Sequence, residues 1–164
     1  MSTPVDVSGQ RLVSDQDHLQ LSRLVVEAAW RVDLGRSDTL HELFVPEGEL
    51  DLGETTMRGS EQIRDWGRRV EAANTYPGIR HVASNMRFVA TGPDSAEGTT
   101  MLTVFMDDSG DWATSVPWVV GEDHDRFVRT EAAWGSILSR MRCFCGRPPN
   151  NMPARRTRRC CRRL

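Results

Sequence analysis

Arg80-His81-Val82-Ala83-Ser84-Asn85-Met86-Arg87-Phe88-Val89-Ala90 is the stretch whose reading decides the fold. It is rich in β-formers and ends at a turn, Thr91-Gly92-Pro93-Asp94, which predicts one long strand over residues 79–90. Alternate residues of a strand share a face, so His81, Ala83 and Asn85 point one way and Val82, Ser84 and Met86 the other. A His and an Asn with a small Ala between them leave room for something other than packing.

Downstream, three more strands are predicted, over residues 97–107, 118–130 and 134–143. Upstream the pattern changes to a helical period. Ser14 caps a helix with Asp15 and Asp17 in its first turn, and Leu21, Leu24, Val25, Ala28 and Ala29 form its apolar stripe. Gly35 stops it after about Leu34. A short helix follows from Ser37 or Asp38, ended by Pro46. Residues 48–52 and 55–59 read as a hairpin broken at Gly53. Ser60 then caps a third helix with Ile63, Trp66 and Val70 inward. Helix, helix, hairpin, helix and antiparallel strands make an α+β layout, a curved sheet wrapped on helices.

Composition fits one domain. The chain has 164 residues, 38% hydrophobic and 27% charged, enough for a core and too apolar for disorder. No apolar run approaches the roughly 18 residues of a membrane helix. Residues 1–10 lack the basic start and apolar core of a secretory signal, so a cytoplasmic setting is expected. The net charge of −2 hides an asymmetry: residues 1–142 hold all 23 acids and 14 of the 21 bases, while residues 143–164 hold 7 bases and no acid. All four cysteines lie in that last segment, at a spacing that is not a zinc pattern. The expected organisation is a flexible lead over 1–13, a domain over 14–145 and an Arg-rich, disordered tail over 146–164. The tail has no interleaved aromatic, so nucleic acid is not an expected partner.

Trp30-Arg31-Val32-Asp33-Leu34-Gly35-Arg36-Ser37-Asp38, with Leu40, Leu43 and Phe44 behind it, resembles the helix-end pattern of SnoaL-like proteins, part of the nuclear transport factor 2-like superfamily. Leu50-Asp51-Leu52, Arg58-Gly59-Ser60-Glu61-Gln62-Ile63, Arg80 to Asn85, Asp125-Arg126-Phe127-Val128-Arg129-Thr130 and Trp134 continue the resemblance in the family's order. The resemblance implies a cone-shaped α+β barrel, its curved antiparallel sheet enclosing a pocket covered by helices. Its members include polyketide cyclases, dehydratases, a dehydrochlorinase, ketosteroid isomerases and epoxide hydrolases, and others that only bind, so the fold leaves the reaction open.

In the dehydratase branch an Asp ending the first helix and a His on the first long strand form a catalytic pair, which the resemblance carries onto Asp33 and His81. The chemistry suits these types. A His near neutrality can take up and return a proton, and a carboxylate on its other nitrogen fixes the tautomer. Asn85 is the expected polar contact to substrate. Each also has a plain structural reading: Asp33 as a helix end, against the dipole, and His81 as a satisfied sheet histidine. The family's Tyr or Lys before the Asp is replaced here by Ala28 and Ala29. Its Gly-x-Tyr-x-Asp strand reads Gly121-Glu122-Asp123-His124-Asp125. The chain's one Tyr falls in the turn Tyr76-Pro77-Gly78, so the usual phenolic acid is absent and an acid role falls to a water, His124 or Asp123. Alternation puts Asp123 and Asp125 on one face and His124 on the other, without saying which is inward. Asp125 reads as a ligand contact or as the ion-pair partner of Arg126 or Arg129.

Trp30, Trp66, Phe105 and Trp118, with Met86 and Met101, are the expected apolar lining, although tryptophans at such spacings are more often core. No phosphate loop, metal cluster or nucleophile elbow appears, so no cofactor is expected. Two functions fit. One is a cofactor-independent lyase or isomerase acting on a hydrophobic, oxygenated ring compound such as a polyketide, steroid or terpenoid, with His81 as base and Asp33 as its orienter. The other is a non-catalytic binding or assembly module. A homodimer or homotrimer is the expected assembly.

Overall fold

The computed structural model describes residue 5 and residues 9–53, 55–106, 117–131 and 133–146. Helix α1 spans Asp15–Asp33, a 3₁₀ helix Ser37–Leu43, and α2 Gly59–Ala72. Strands β1 (Phe44–Asp51), β2 (Thr56–Arg58), β3 (Arg80–Gly92), β4 (Ser95–Phe105), β5 (Val119–Arg129) and β6 (Trp134–Gly146) form one curved sheet in the order β2-β1-β6-β5-β4-β3. The expected α+β architecture is thus observed. All neighbours pair antiparallel except β1 and β6, which run parallel. That pairing joins the chain's first strand to its last and brings α1, the 3₁₀ helix and α2 against the sheet.

Local signals account for the helix ends. The Ser14 hydroxyl accepts from the Asp17 backbone N–H at 3.1 Å, which caps α1. Gly35, at φ +67°, reverses the chain after Leu34. Ser60 does not cap α2. Instead the helix begins at Gly59, and the Gln62 side chain reaches back to accept from the Arg58 backbone N–H at 3.1 Å. Gly67 is fixed by packing: a Cβ there would lie 2.1 Å from the Ser37 carbonyl oxygen.

Two segments depart from expectation. Residues 11–13 are not a free lead. Leu12 bridges to Val89, Val13 and Ala90 donate backbone bonds to Phe88 and Arg11, and Val13 is buried. They cover the otherwise open edge of β3, whose unpaired amides would invite association. At the other end β6 continues beyond Cys143, which pairs with Gly121, to Gly146 opposite Val119. The Arg-rich run over 155–163 lies outside the described residues.

Burial alternates strictly along β4, with Ala96, Gly98, Thr100, Leu102 and Val104 buried. Register extends this inner face sideways: His81 lies opposite Val104, Ala83 opposite Leu102, Asp123 opposite Thr100 and Asp125 opposite Gly98. Phe88, Phe127, Leu21, Val13 and Trp134 fill one end of the enclosure, and Ile79, Leu102 and Val104 the other. Leu40, Leu50, Met57 and Ile63 pack between the helices and β1.

Candidate active site

Asp33 is the last residue of α1 and His81 the second of β3. The carboxylate bridges His81 twice. Its Oδ2 accepts from the His81 backbone N–H at 3.0 Å, and its Oδ1 lies 2.6 Å from ring Nδ1. The Arg80 guanidinium donates to the Asp33 carbonyl oxygen at 2.9 Å, clamping the helix end to the strand. A carboxylate at a helix C-terminus opposes the dipole, and these donors offset that cost. Both side chains are largely buried, 7% exposed for Asp33 and 11% for His81. With Nδ1–H donating to Asp33, the Nε2 lone pair is left free on the far side of the ring. A group so held can accept a proton at one defined point.

The other predicted site residues divide. Trp118 packs with Ile79, Leu102 and Val104 and against Tyr76, ring centroids 6.0 Å apart, at the His81 end of the enclosure. Trp66 packs instead with Leu40, Leu50, Met57 and Ile63, as core beneath α2. Trp30 does not line the site: it is 53% exposed, because it falls off the stripe that buries Leu21, Leu24, Val25, Ala28 and Val32. Phe105 pairs with Arg80, whereas its neighbour Val104 pairs with His81, so strand alternation sends Phe105 to the opposite face of the sheet. The same parity places Met101 with Phe105. Asn85 is exposed and stands at φ +50° inside a register shift between Ser84 and Arg87. It is a β-bulge residue, and its two-step alternation with His81 is broken. The bulge turns Met86 inward, where it packs on the Phe88 cluster.

On β5 the structure resolves the open alternation. Asp123 and Asp125 face inward. His124 faces outward and pairs with Glu122 at 3.0 Å. Asp125 is 6% exposed and pairs with neither expected arginine; Arg129 binds Asp17 and Asp94 instead. Burial pushes the Asp125 carboxyl up to about 6, tempered by a hydrogen bond with Ser139. Burial, with the neighbouring Asp125 charge, pushes Asp123 up to about 8. The sequence held one signal for this: Gly121 and Phe127 share the parity of the two acids, and such residues belong inside.

An open groove of about 870 Å³ runs between α1 and the β5–β6 turn, lined by Leu24, Leu43, Arg129 and Trp134 among others. It contains neither Asp33 nor His81, so its size does not make it the reaction site. A smaller cleft of about 140 Å³ touches Asp33 from behind, between Ser37, Glu71 and Arg80. Among the described residues no three His, Cys, Asp or Glu side chains gather as a metal site, and no helix is long and apolar enough to cross a membrane.

A helix-covered curved sheet with a buried Asp–His pair at the junction of first helix and first long strand defines an α+β cone of the nuclear transport factor 2-like type. The chain belongs to the SnoaL-like domain family, whose model matches residues 15–137. No curated protein matches it in sequence. Solved structures agree on the fold. A hexachlorocyclohexane dehydrochlorinase, LinA type 2, superposes with a TM-score of 0.70 at 18% identity, over 85% of this chain and 95% of that one. An NTF2-like protein with a cystatin-like fold from Novosphingobium aromaticivorans gives 0.64 at 23% identity, over 77% and 80%. A variant of Rv3472, a protein of unknown function from Mycobacterium tuberculosis, gives 0.69 at 17% identity, over 79% and 77%.

Proposed function

We propose that the protein is a cofactor-independent enzyme that moves a proton on a hydrophobic, oxygenated ring compound, by elimination, isomerisation or cyclisation. The observation that carries this reading is the Asp33–His81 pair, 2.6 Å apart and largely buried. His81 Nε2 takes a proton from carbon, and Asp33 holds the tautomer and stabilises the imidazolium that forms. The apolar walls, Trp118, Leu102 and Val104, exclude water and favour a ring compound. That structures sharing this fold include a dehydrochlorinase supports a lyase-type reaction. The test is turnover of ring ketones and hydroxylated ring compounds by wild type and His81→Ala. A loss of about 10²–10⁴ in the variant supports the base role; equal turnover by both proteins would overturn it.

A second reading, an assembly or binding module, draws on Trp30 and Leu34. They stand one helical turn apart at the end of α1 and are 53% and 58% exposed. Exposed apolar side chains of this size favour self-association into the expected dimer or trimer. Light scattering of wild type and Trp30→Ser tests it, since a drop in mass would assign Trp30 to an interface.

A further inference from the structure

Arg80 stands one residue before His81, and strand parity starts its side chain on the outer face of the sheet with Phe105. The guanidinium does not stay there. β3 is an edge strand, and residues 11–13 cover only its Phe88–Ala90 stretch, so Arg80 turns round the open edge to the helix side. Its Nη1 donates to the Asp33 carbonyl at 2.9 Å and to the Ile79 carbonyl at 2.6 Å. Glu71 lines the same small cleft, yet among the described residues Arg80 makes no ion pair. The cation is committed to backbone.

The Asp33 carbonyl is one that α1 cannot use. The backbone bonds that close the helix go to the carbonyls of Trp30, Arg31 and Val32. The last carbonyls of a helix carry the negative end of its dipole, and Asp33 adds a carboxylate at that same end. One guanidinium against the carbonyl offsets both.

Asp33 is thus gripped by three donors from two successive residues: the Arg80 guanidinium, the His81 backbone N–H and the His81 ring. Little else restrains it from behind. The cleft of about 140 Å³ at its back is lined by Glu71, Asn74, Thr75 and Tyr76 beside Arg80. A polar space of that size takes up water, which gives way where packed side chains would resist. Glu71 accepts from the Ser37 backbone N–H at 2.9 Å, so it fixes the turn after Gly35 and not Asp33 itself.

We propose that Arg80 is a positioning residue for the His81 base: by holding the Asp33 carbonyl it keeps the carboxylate on His81 Nδ1 and the Nε2 lone pair at one point. This rests on the proton-transfer reading of the pair. Arg80 acts through Asp33 and not on the substrate. Without it the end of α1 backs toward the cleft, Oδ1 leaves the ring, and the imidazole turns. A misplacement of about 1 Å costs on the order of 10²-fold in rate.

Arg80→Met and Arg80→Lys test this. The first keeps the stem and removes the donor. The second supplies a point donor, which suffices because both bonds leave from one nitrogen. Long-range ¹⁵N–¹H correlation spectra in alkaline buffer read the His81 tautomer without any substrate. Wild type should show the Nδ1–H form, Arg80→Met a mixture of both, and Arg80→Lys mostly the wild-type form. On the best substrate of the ring-compound panel, Arg80→Met should lose about 10–100-fold in kcat with KM within about twofold. A wild-type tautomer in Arg80→Met, whatever its thermal midpoint, or no recovery in Arg80→Lys overturns the proposal. If wild type turns over no compound of the panel, the proton-transfer reading falls, and the tautomer spectra still decide whether Arg80 positions His81.

Discussion

The Asp33 carboxylate, ending the first helix, holds both the backbone N–H and the ring Nδ1 of His81, 48 residues downstream. One side chain therefore does two things: it docks α1 on β3 and it orients the imidazole. The two roles separate by substitution. Asp33→Ala removes both bonds and leaves a part-buried N–H unpaired, for a loss of about 1–3 kcal/mol in urea unfolding. Asp33→Asn retains an oxygen for one donor and should lose less stability. It should still shift the His81 ring to a different tautomer mixture, read in its ¹⁵N NMR shifts. Equal stability loss from both variants would assign Asp33 to docking alone.

Asn85 should behave as a bulge residue. Its φ of +50° is tolerated by Asn and Gly but costs β-branched residues about 1–2 kcal/mol. Asn85→Gly should therefore leave the urea midpoint nearly unchanged or slightly raised, and Asn85→Val should lower it at constant m-value. Ring-compound binding that survives Asn85→Gly would separate the bulge from a direct ligand contact.

The helix ends and strand starts were legible because local chemistry marks them. Ser14, Gly35 and the turn at Tyr76-Pro77-Gly78 delimit α1 and β3, and that alone puts Asp33 and His81 where they can meet. Facing was harder, since it depends on register, a property of two strands. Phe105 is out and Val104 in because Val104 pairs with His81. Asn85 left its expected face because a single extra residue in β3 inverts parity for everything beyond it. Trp30 was avoidable: two residues beyond Ala28, it lies across the helix from the apolar stripe. Thr100 gave no signal singly, but it shares parity with Ala96, Leu102 and Val104, and a hydroxyl in that row is the anomaly. The parallel closure of β1 on β6 had no local mark at all, being set by how far the sheet curls.

Gly67 carries a packing prediction. A Cβ there meets the Ser37 carbonyl at 2.1 Å, and that contact is backbone, so neither side can give without moving an element. Helix propensity alone favours Ala over Gly by about 1 kcal/mol in a helix interior. Overpacking of this kind costs about 1–3 kcal/mol or more and should win. Gly67→Ala is expected to lower the thermal midpoint. A rise would show that α2 can slide away from the 3₁₀ helix without cost.

The pH dependence of stability separates two kinds of carboxylate. Burial works against ionised Asp17, but bonds from Arg129, Ser14 and Trp134 outweigh it and hold the group below its usual range. In Asp51, bonds from the Gly53 backbone N–H and Arg140 likewise outweigh burial. Groups depressed in this way contribute stability above the unfolded value of 3.8, which is lost as pH falls through their folded values. Asp123 and Asp125 act with the opposite sign. Their folded values, about 8 and about 6, lie above the unfolded 3.8, so across that interval the unfolded chain releases protons that the folded chain keeps. Stability should fall as pH rises from about 4 through 6 and on to about 8, and level off above. The thermal midpoint should therefore peak in mildly acidic buffer. Asp123→Asn should remove the upper part of the decline, between about pH 6 and 8, and be more stable than wild type there by up to a few kcal/mol. A wild-type profile flat from pH 5 to 8 would mean that neither acid is held protonated by the fold.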